Sequence, residues 1–342
     1  MSARTPVPSR GERVARALAS LRGLAVGDAL GSQFFVPGNL PFLRRREVPP
    51  GPWQWTDDTE MAASVAAVLA GHGHVDQDAL AASFAEHHDF DRGYGPAVNR
   101  MLRLIRQEGG DWRELASSLF DGQGSWGNGG AMRVAPLGAW YADNPERAAG
   151  EAARSAEVTH RHPEAVAGTR AVAAAAALVG ADAVRQLRQH GADATGHGGN
   201  PHGAAGPAGG GHADGASAQQ LTPETLLTQV LELVPRSAVH AGLRRAIDLL
   251  DYADVGTVAA VLGCGRHTSA QDTVPFTLWT AARHLRDFRG ACWTAADAGG
   301  DVDTTCAIVG GVLAAGGPVS APPREWDERT EAFPTWLLET LR

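Results

Sequence analysis

The chain has 342 residues, 44% of them hydrophobic, with a formal net charge of −8 at pH 7 and a pI near 5.9. This is ample material for one large core or two ordinary ones, and the acidic balance argues against an extended phosphate-binding surface built from clustered Lys and Arg. Three widely spaced cysteines, Cys264, Cys292 and Cys306, support neither a disulfide framework nor a CxxC metal site, so a reducing cytoplasm is the expected compartment.

Residues 1–11 lack the apolar core of a signal peptide and are expected to be a flexible N-terminus. From there the pattern is helical: Val14, Leu18, Leu21 and Leu24 step by three or four residues along one face. Arg44-Arg45-Arg46 is the one basic run and reads as a solvated loop. Thr56-Asp57-Asp58-Thr59 comes next, followed by Met61, Val65, Val68 and Leu69 on one helical face, so Thr56 suits an N-cap beside aspartates that favour the helix dipole.

Phe120 to Arg133 carries four glycines between Gly124 and Gly130, with Ser125 and Asn128 among them. Such a loop lets backbone N–H groups approach an anion, or serves simply as a tight interhelical turn. It lacks the Lys-Ser/Thr ending of a phosphate-binding P-loop and is not GxGxxG. Phe120 and Trp126 flank it, as stacking platforms for a base or as core. In Thr159-His160-Arg161-His162-Pro163-Glu164, Pro163 suits a first helical turn, and His160 reads equally as a ligand contact or a packed histidine.

Ala171 to Ala181 is the longest apolar stretch and is shorter than a bilayer span. His190 to Gln220, rich in Gly, Ala and His, has almost no large apolar side chains and is expected to be a disordered insertion; its histidines reflect compositional bias rather than a metal site. Helical spacing resumes at Leu226, Val230 and Leu233. Strand-like alternation is hard to find, so we expect an all-α domain over residues 12–342, interrupted by 190–220.

Gly300-Asp301-Val302-Asp303-Thr304-Thr305 opens the last apolar helical run. Capping accounts for either acidic segment alone. Two such segments, each with more carboxylates than a cap requires, point to one hard-cation site, because like charges repel unless a cation lies between them. All the donors are oxygens, which suits Mg²⁺, Mn²⁺ or Ca²⁺ rather than zinc or copper.

Gly27-Asp28-Ala29-Leu30-Gly31, Thr56-Asp57-Asp58-Thr59, Ser125 to Arg133, Thr159-His160 and Gly300-Asp301-Val302-Asp303-Thr304 resemble, in order and approximate spacing, the ADP-ribosylglycohydrolase family. The match runs from about residue 12 to 317. The resemblance implies an all-α enzyme with two magnesium ions, Mn²⁺ being an alternative, that removes ADP-ribose from arginine, serine or another acceptor. It implies Thr56, Asp57, Asp58, Asp301, Asp303 and Thr304 as metal ligands. It places Ser125, Gly127, Asn128, Gly129 and Met132 along the ADP-ribose, Phe120 and Trp126 beside the adenine, and His160 near the ribose or phosphates. One departure stands out: relatives carry a glutamate shortly after the first motif, where this chain has Gln33-Phe34-Phe35-Val36-Pro37 and no carboxylate before Glu47.

Cleavage at the anomeric carbon builds oxocarbenium character, so a water must be positioned and deprotonated, with Asp57, Asp58 or Asp303 as the acceptor. The expectation is a magnesium-dependent hydrolase acting on an ADP-ribosylated protein side chain, monomeric and not membrane-embedded. The alternatives are a hydrolase of a small-molecule or nucleic-acid ADP-ribose conjugate, and a catalytically silent ADP-ribose-binding protein of the same fold.

Overall fold

Helix starts coincide with short polar residues that satisfy the first free amides. Ser9 forms a reciprocal capping box with Glu12, Thr56 accepts from Asp58 N, and Asp76, Asp111, Asn144, Thr222, Ser237, Asp254 and Asp287 cap further helices through their side chains. The computed structural model describes residues 7–196 and 220–342. In chain order the helices are α1 (Arg10–Ser32), α2 (Leu40–Arg45), α3 (Asp57–His72), α4 (Gln77–His87), α5 (Pro96–Glu108), α6 (Trp112–Ser118), α7 (Ala135–Trp140), α8 (Pro145–Glu157), α9 (Pro163–Gly196), α10 (Pro223–Leu233), α11 (Ala238–Asp248), α12 (Val255–Leu262), α13 (Ala270–Arg283), α14 (Phe288–Asp297), α15 (Val302–Ala314), α16 (Arg324–Asp327) and α17 (Thr335–Thr340). Among the described residues there is no β-strand, only two isolated bridges, Trp53 with Thr330 and Gly127 with Ser269. The architecture is all-α, as expected.

The expected insertion begins inside a helix, since the backbone of residues 190–196 belongs to α9. The rest of it, including His197, His202 and His212, lies outside the described residues, as do residues 1–6. Over Pro163–Gln189, α9 is long and apolar enough to cross a bilayer, so the length limit drawn from Ala171 to Ala181 is corrected. In the fold, however, 72% of its most apolar window is buried. Ala171 and Ala173 to Ala177 are fully covered, and α9 packs against α7, α8 and α13. Small side chains allow that crowding.

The most extensive helix pair is α1 with α15. Glycines at 23, 27 and 31 recur every fourth residue and face α15. A Cβ at Gly27 would collide with the Cys306 carbonyl, and one at Gly31 would lie 2.5 Å from Val302 O and 2.7 Å from Asp303 Cα. Because these side chains are absent, the backbones approach closely enough to bring Asp28 beside the N-terminus of α15. The N-terminus of α3, which also packs on α1, completes the meeting point.

Candidate active site

Asp28 is the organising residue, and the sequence reading left it out of the site. It is fully buried on α1. Its Oδ2 accepts from Thr56 N at 2.9 Å, Thr59 N at 3.1 Å and Thr59 Oγ1 at 2.6 Å, while Oδ1 accepts from Thr56 Oγ1 at 2.8 Å. One carboxylate therefore ties the first turn of α3 to α1. The available signal was a carboxylate inside an apolar helix, flanked by Gly27 and Gly31.

Around it the two acidic segments converge. Asp28, Asp58 and Asp303 present carboxylate oxygens within 4.8 Å of one another. Thr304 Oγ1 donates to Asp58 Oδ2 at 3.3 Å, joining the starts of α15 and α3, and Thr56 Oγ1 reaches the same oxygen at 3.1 Å. Asp58 Oδ1 is buried with no hydrogen-bond partner among the described residues. Asp301 holds the N-cap position of α15 but makes no capping bond; its Oδ2 instead accepts from Asn128 Nδ2 at 2.7 Å. Capping alone thus explains the Thr56 end and not the Asp301 end. Asp57 is the first residue of α3 and lies beside Gly93.

No Lys or Arg ion pair reaches these carboxylates among the described residues. Burial, then neighbouring carboxylates, pushes Asp57 up to about 8 and holds Asp58 and Asp303 well above the ordinary range. Burial also raises Asp301, and raises Asp28 to about 6 despite the four hydrogen bonds it accepts. Such a set is stable in ionised form only around a cation. The all-oxygen donors and the orphaned Asp58 Oδ1 fit a hard divalent ion. Thr56, Asp57, Asp58, Asp301, Asp303 and Thr304, expected as ligands from distant parts of the chain, are all present at this meeting of helix N-termini.

The glycine loop is pinned next to the cluster. Asn128 N donates to Thr268 O at 3.0 Å and Ala270 N donates to Trp126 O at 3.0 Å, which locks the loop to residues 265–270. The Asn128 amide nitrogen bridges Thr273 Oγ1 at 3.0 Å and Asp301, so this residue, expected along a ligand, also supports an acidic side chain. Ser125 Oγ accepts from Gly127 N at 3.2 Å. Met132 is buried in the hydrophobic core. His160 is buried against Gly127 and Gly129. Burial and the Arg133 charge push its imidazole down to about 3, so it is neutral at physiological pH.

Phe120 and Trp126 form a tilted pair, ring centroids 4.7 Å apart, with Phe120 46% exposed and Trp126 half-buried. At that spacing there is no room for a third ring between them, and the pair offers an aromatic face only on its outer side. A cavity of about 670 Å³ opens beside Trp126, lined also by Leu262, Arg266, His267, Gln271 and Asp272. Gln271 Oε1 is buried without a partner there. These residues carried no recognisable signal in the sequence.

The segment Gln33 to Pro37 forms short 3₁₀ turns beyond α1. Phe34 is buried, its ring 6.0 Å from that of Trp293, while Phe35 and Val36 are exposed. Gln33 Nε2 donates to Ala29 O at 3.2 Å. This segment therefore presents aromatic side chains and an amide, and no carboxylate.

The family model for ADP-ribosylglycohydrolase matches residues 9–342. The chain is 28% identical over 355 residues to ADP-ribosylhydrolase ARH3 of Gallus gallus, covering 93% of this chain and 90% of that protein. It is 26% identical to the Homo sapiens protein of the same name, over 92% of this chain and 88% of the other. It is 31% identical over 161 residues to the ADP-ribosyl-(dinitrogen reductase) glycohydrolase of Rhodospirillum rubrum, covering 43% of this chain and 52% of that one. A solved structure described as an ADP-ribosylglycohydrolase-related protein complex superposes with a TM-score of 0.58 at 25% identity, covering 96% of this chain and 95% of that chain.

Proposed function

This chain belongs to the ADP-ribosylglycohydrolase family, and on that premise we propose that it is a magnesium-dependent enzyme releasing ADP-ribose from modified protein side chains of the arginine or serine type. Hydrolysis of an ADP-ribose glycosidic bond is the activity its family and relatives carry. The observation that supports the finer reading is the carboxylate cluster, with no ion-pairing Arg among the described residues, linked through Asn128 to a glycine loop and an aromatic pair.

Thr56, Asp57, Asp58, Asp301, Asp303 and Thr304, with Asp28 behind them, would hold a pair of Mg²⁺ ions. When bound, such ions bind ribose hydroxyls and lower the pKa of a water. The chain's own residues do the rest. Asp28 keeps the first turn of α3 in place, and Asn128 keeps Asp301 facing the cluster. The Phe120–Trp126 face takes the adenine, and the glycine loop runs along the rest of the ADP-ribose. Asp58 is tied to Thr56 and Thr304, and Asp303 Oδ1 accepts from Thr304 N at 2.8 Å, whereas Asp57 has no comparable tie to another residue. Asp57 is therefore the carboxylate freest to accept the proton of the attacking water. The ribose is held while the anomeric bond to the acceptor breaks and a bond to the water oxygen forms; the proton that Asp57 takes from the water passes to the departing acceptor nitrogen or oxygen.

The test is a panel of arginine-, serine- and nucleotide-linked ADP-ribose substrates, each with Mg²⁺ and with chelator. Mg²⁺-dependent release from a protein side chain supports this reading. Turnover only of free or nucleic-acid conjugates would move the substrate class, and ADP-ribose binding without turnover of any substrate would leave a silent binding protein.

A further inference from the structure

Arg133 is an unusual residue for the centre of a helical core. It is fully buried, its guanidinium lies 4.6 Å from the Phe84 ring centroid, and it pairs with no carboxylate among the described residues. Burial pulls it down to about 9, still well above neutrality. An uncompensated buried cation is costly, and the few polar contacts it makes are specific. Nη2 donates to Ser155 O at 2.7 Å, and Nη1 donates to Thr159 Oγ1 at 2.9 Å. Thr159 Oγ1 in turn lies 2.7 Å from His160 Nδ1.

The direction of those bonds follows from the donor inventory. A guanidinium only donates, so Thr159 Oγ1 must accept from Arg133 and its single hydrogen is free for Nδ1. Among the described residues Nδ1 is the one acceptor within reach of that hydrogen, and a protonated Nδ1 would leave the hydrogen of the fully buried Thr159 unpaired; Nδ1 therefore accepts, which in a neutral imidazole leaves the proton on Nε2. Nε2 faces the glycine loop: a Cβ added at Gly127 would lie 3.1 Å from it, and one at Gly129 would lie 2.9 Å from it. Both positions lack that carbon, so the loop backbone lies against the Nε2 edge with no glycine-loop side chain between them. Resting on the proposed ADP-ribose site, we infer that Arg133, acting through Thr159, is a positioning residue that holds His160 as a neutral Nε2–H donor for an acceptor oxygen of bound ADP-ribose.

The test begins without ligand or metal, so that it stands apart from the proposed activity. Long-range ¹H–¹⁵N correlation on protein labelled at the histidine nitrogens distinguishes Nε2–H, Nδ1–H and imidazolium, and His160 is identified by its absence from the His160→Gln spectrum. The expected wild-type result at pH 7 is the Nε2–H tautomer. Arg133→Met should admit the Nδ1–H form, because the Thr159 hydroxyl is then no longer oriented by a donor and can turn its hydrogen away from Nδ1, while Arg133→Lys should retain Nε2–H; a folded Arg133→Met protein that holds Nε2–H alone would overturn the part given to Arg133. Should Arg133→Met not fold, Thr159→Val serves: its ADP-ribose affinity by calorimetry should fall about three- to tenfold, the scale of one hydrogen bond, and Thr159→Ser should restore it. A wild-type His160 found as Nδ1–H or imidazolium would overturn the inference, as would unchanged affinity in Thr159→Val. If the Nε2–H tautomer is found and ADP-ribose does not bind the wild type, the substrate reading fails while the relay stands.

Discussion

Asn128 Nδ2 lies 2.7 Å from Asp301 Oδ2, a bond that joins the glycine loop to the acidic cluster across 173 positions of sequence. The proposed cation and ADP-ribose sites therefore share a structural member. Replacing Asn128 with Ala should lower Mg²⁺ affinity by about tenfold, the scale of losing a hydrogen bond that orients a metal ligand, and should weaken ADP-ribose binding as well. Calorimetric titration of each ligand checks this; loss of only one affinity would show that the two sites are independent.

Asp58→Asn should leave the metal-free protein at least as stable as wild type, because burial and then the neighbouring carboxylates already disfavour the charged form of Asp58, which the neutral amide does away with. The same change should cost several kcal/mol of transition-state stabilisation through the bound ions. Thermal melts with and without Mg²⁺, beside turnover, decide the matter. Near-native turnover at limiting Mg²⁺ would remove Asp58 from the ligand set.

Mg²⁺ binding should strengthen as pH rises. Burial raises Asp28 to about 6 and Asp57 to about 8 from the ordinary aspartate value of 3.8, so the folded metal-free protein holds protons that the unfolded chain has released. Its stability therefore falls as pH rises from about 4 to 8, whereas a cation must displace those protons and binds more tightly over the same window. Melts across that range should show the two opposite trends. A Mg²⁺ affinity that is flat with pH would mean the carboxylates are already ionised.

Trp126→Ala should weaken ADP-ribose binding by about 1–3 kcal/mol, the worth of one base stack, with little change in melting temperature. Its half-buried setting against the exposed Phe120 makes it a surface platform rather than core. An unchanged affinity beside a large fall in melting temperature would reverse that assignment. Phe120→Ala should lower affinity less than Trp126→Ala if the base rests mainly on the indole.

Gly27→Ala should destabilise the fold by about 1–3 kcal/mol through overpacking, because the new methyl would meet the Cys306 carbonyl. It should also weaken Mg²⁺ binding by moving α1, and Asp28 with it, away from α15. A denaturant midpoint equal to wild type would show that the two helices have slack at this crossing.

Sequence alone determined the fold class, because apolar residues every three or four positions commit local segments to helix whatever they later touch. It also determined that oxygen donors gather at the starts of two helices, since Thr56-Asp57-Asp58 and Asp301-Val302-Asp303-Thr304 are local strings whose chemistry can be read directly. Local pattern could not assign Asp28 its part: a lone aspartate in an apolar helix becomes central only once Gly27 and Gly31 let α1 lie against α15. Nor could it give Asn128 its bond to Asp301, the tilted closeness of Phe120 and Trp126, or the relay from Arg133 through Thr159 to His160. Those are relations between side chains brought together by packing. They are set by the distances between helices, which no single segment of the chain encodes.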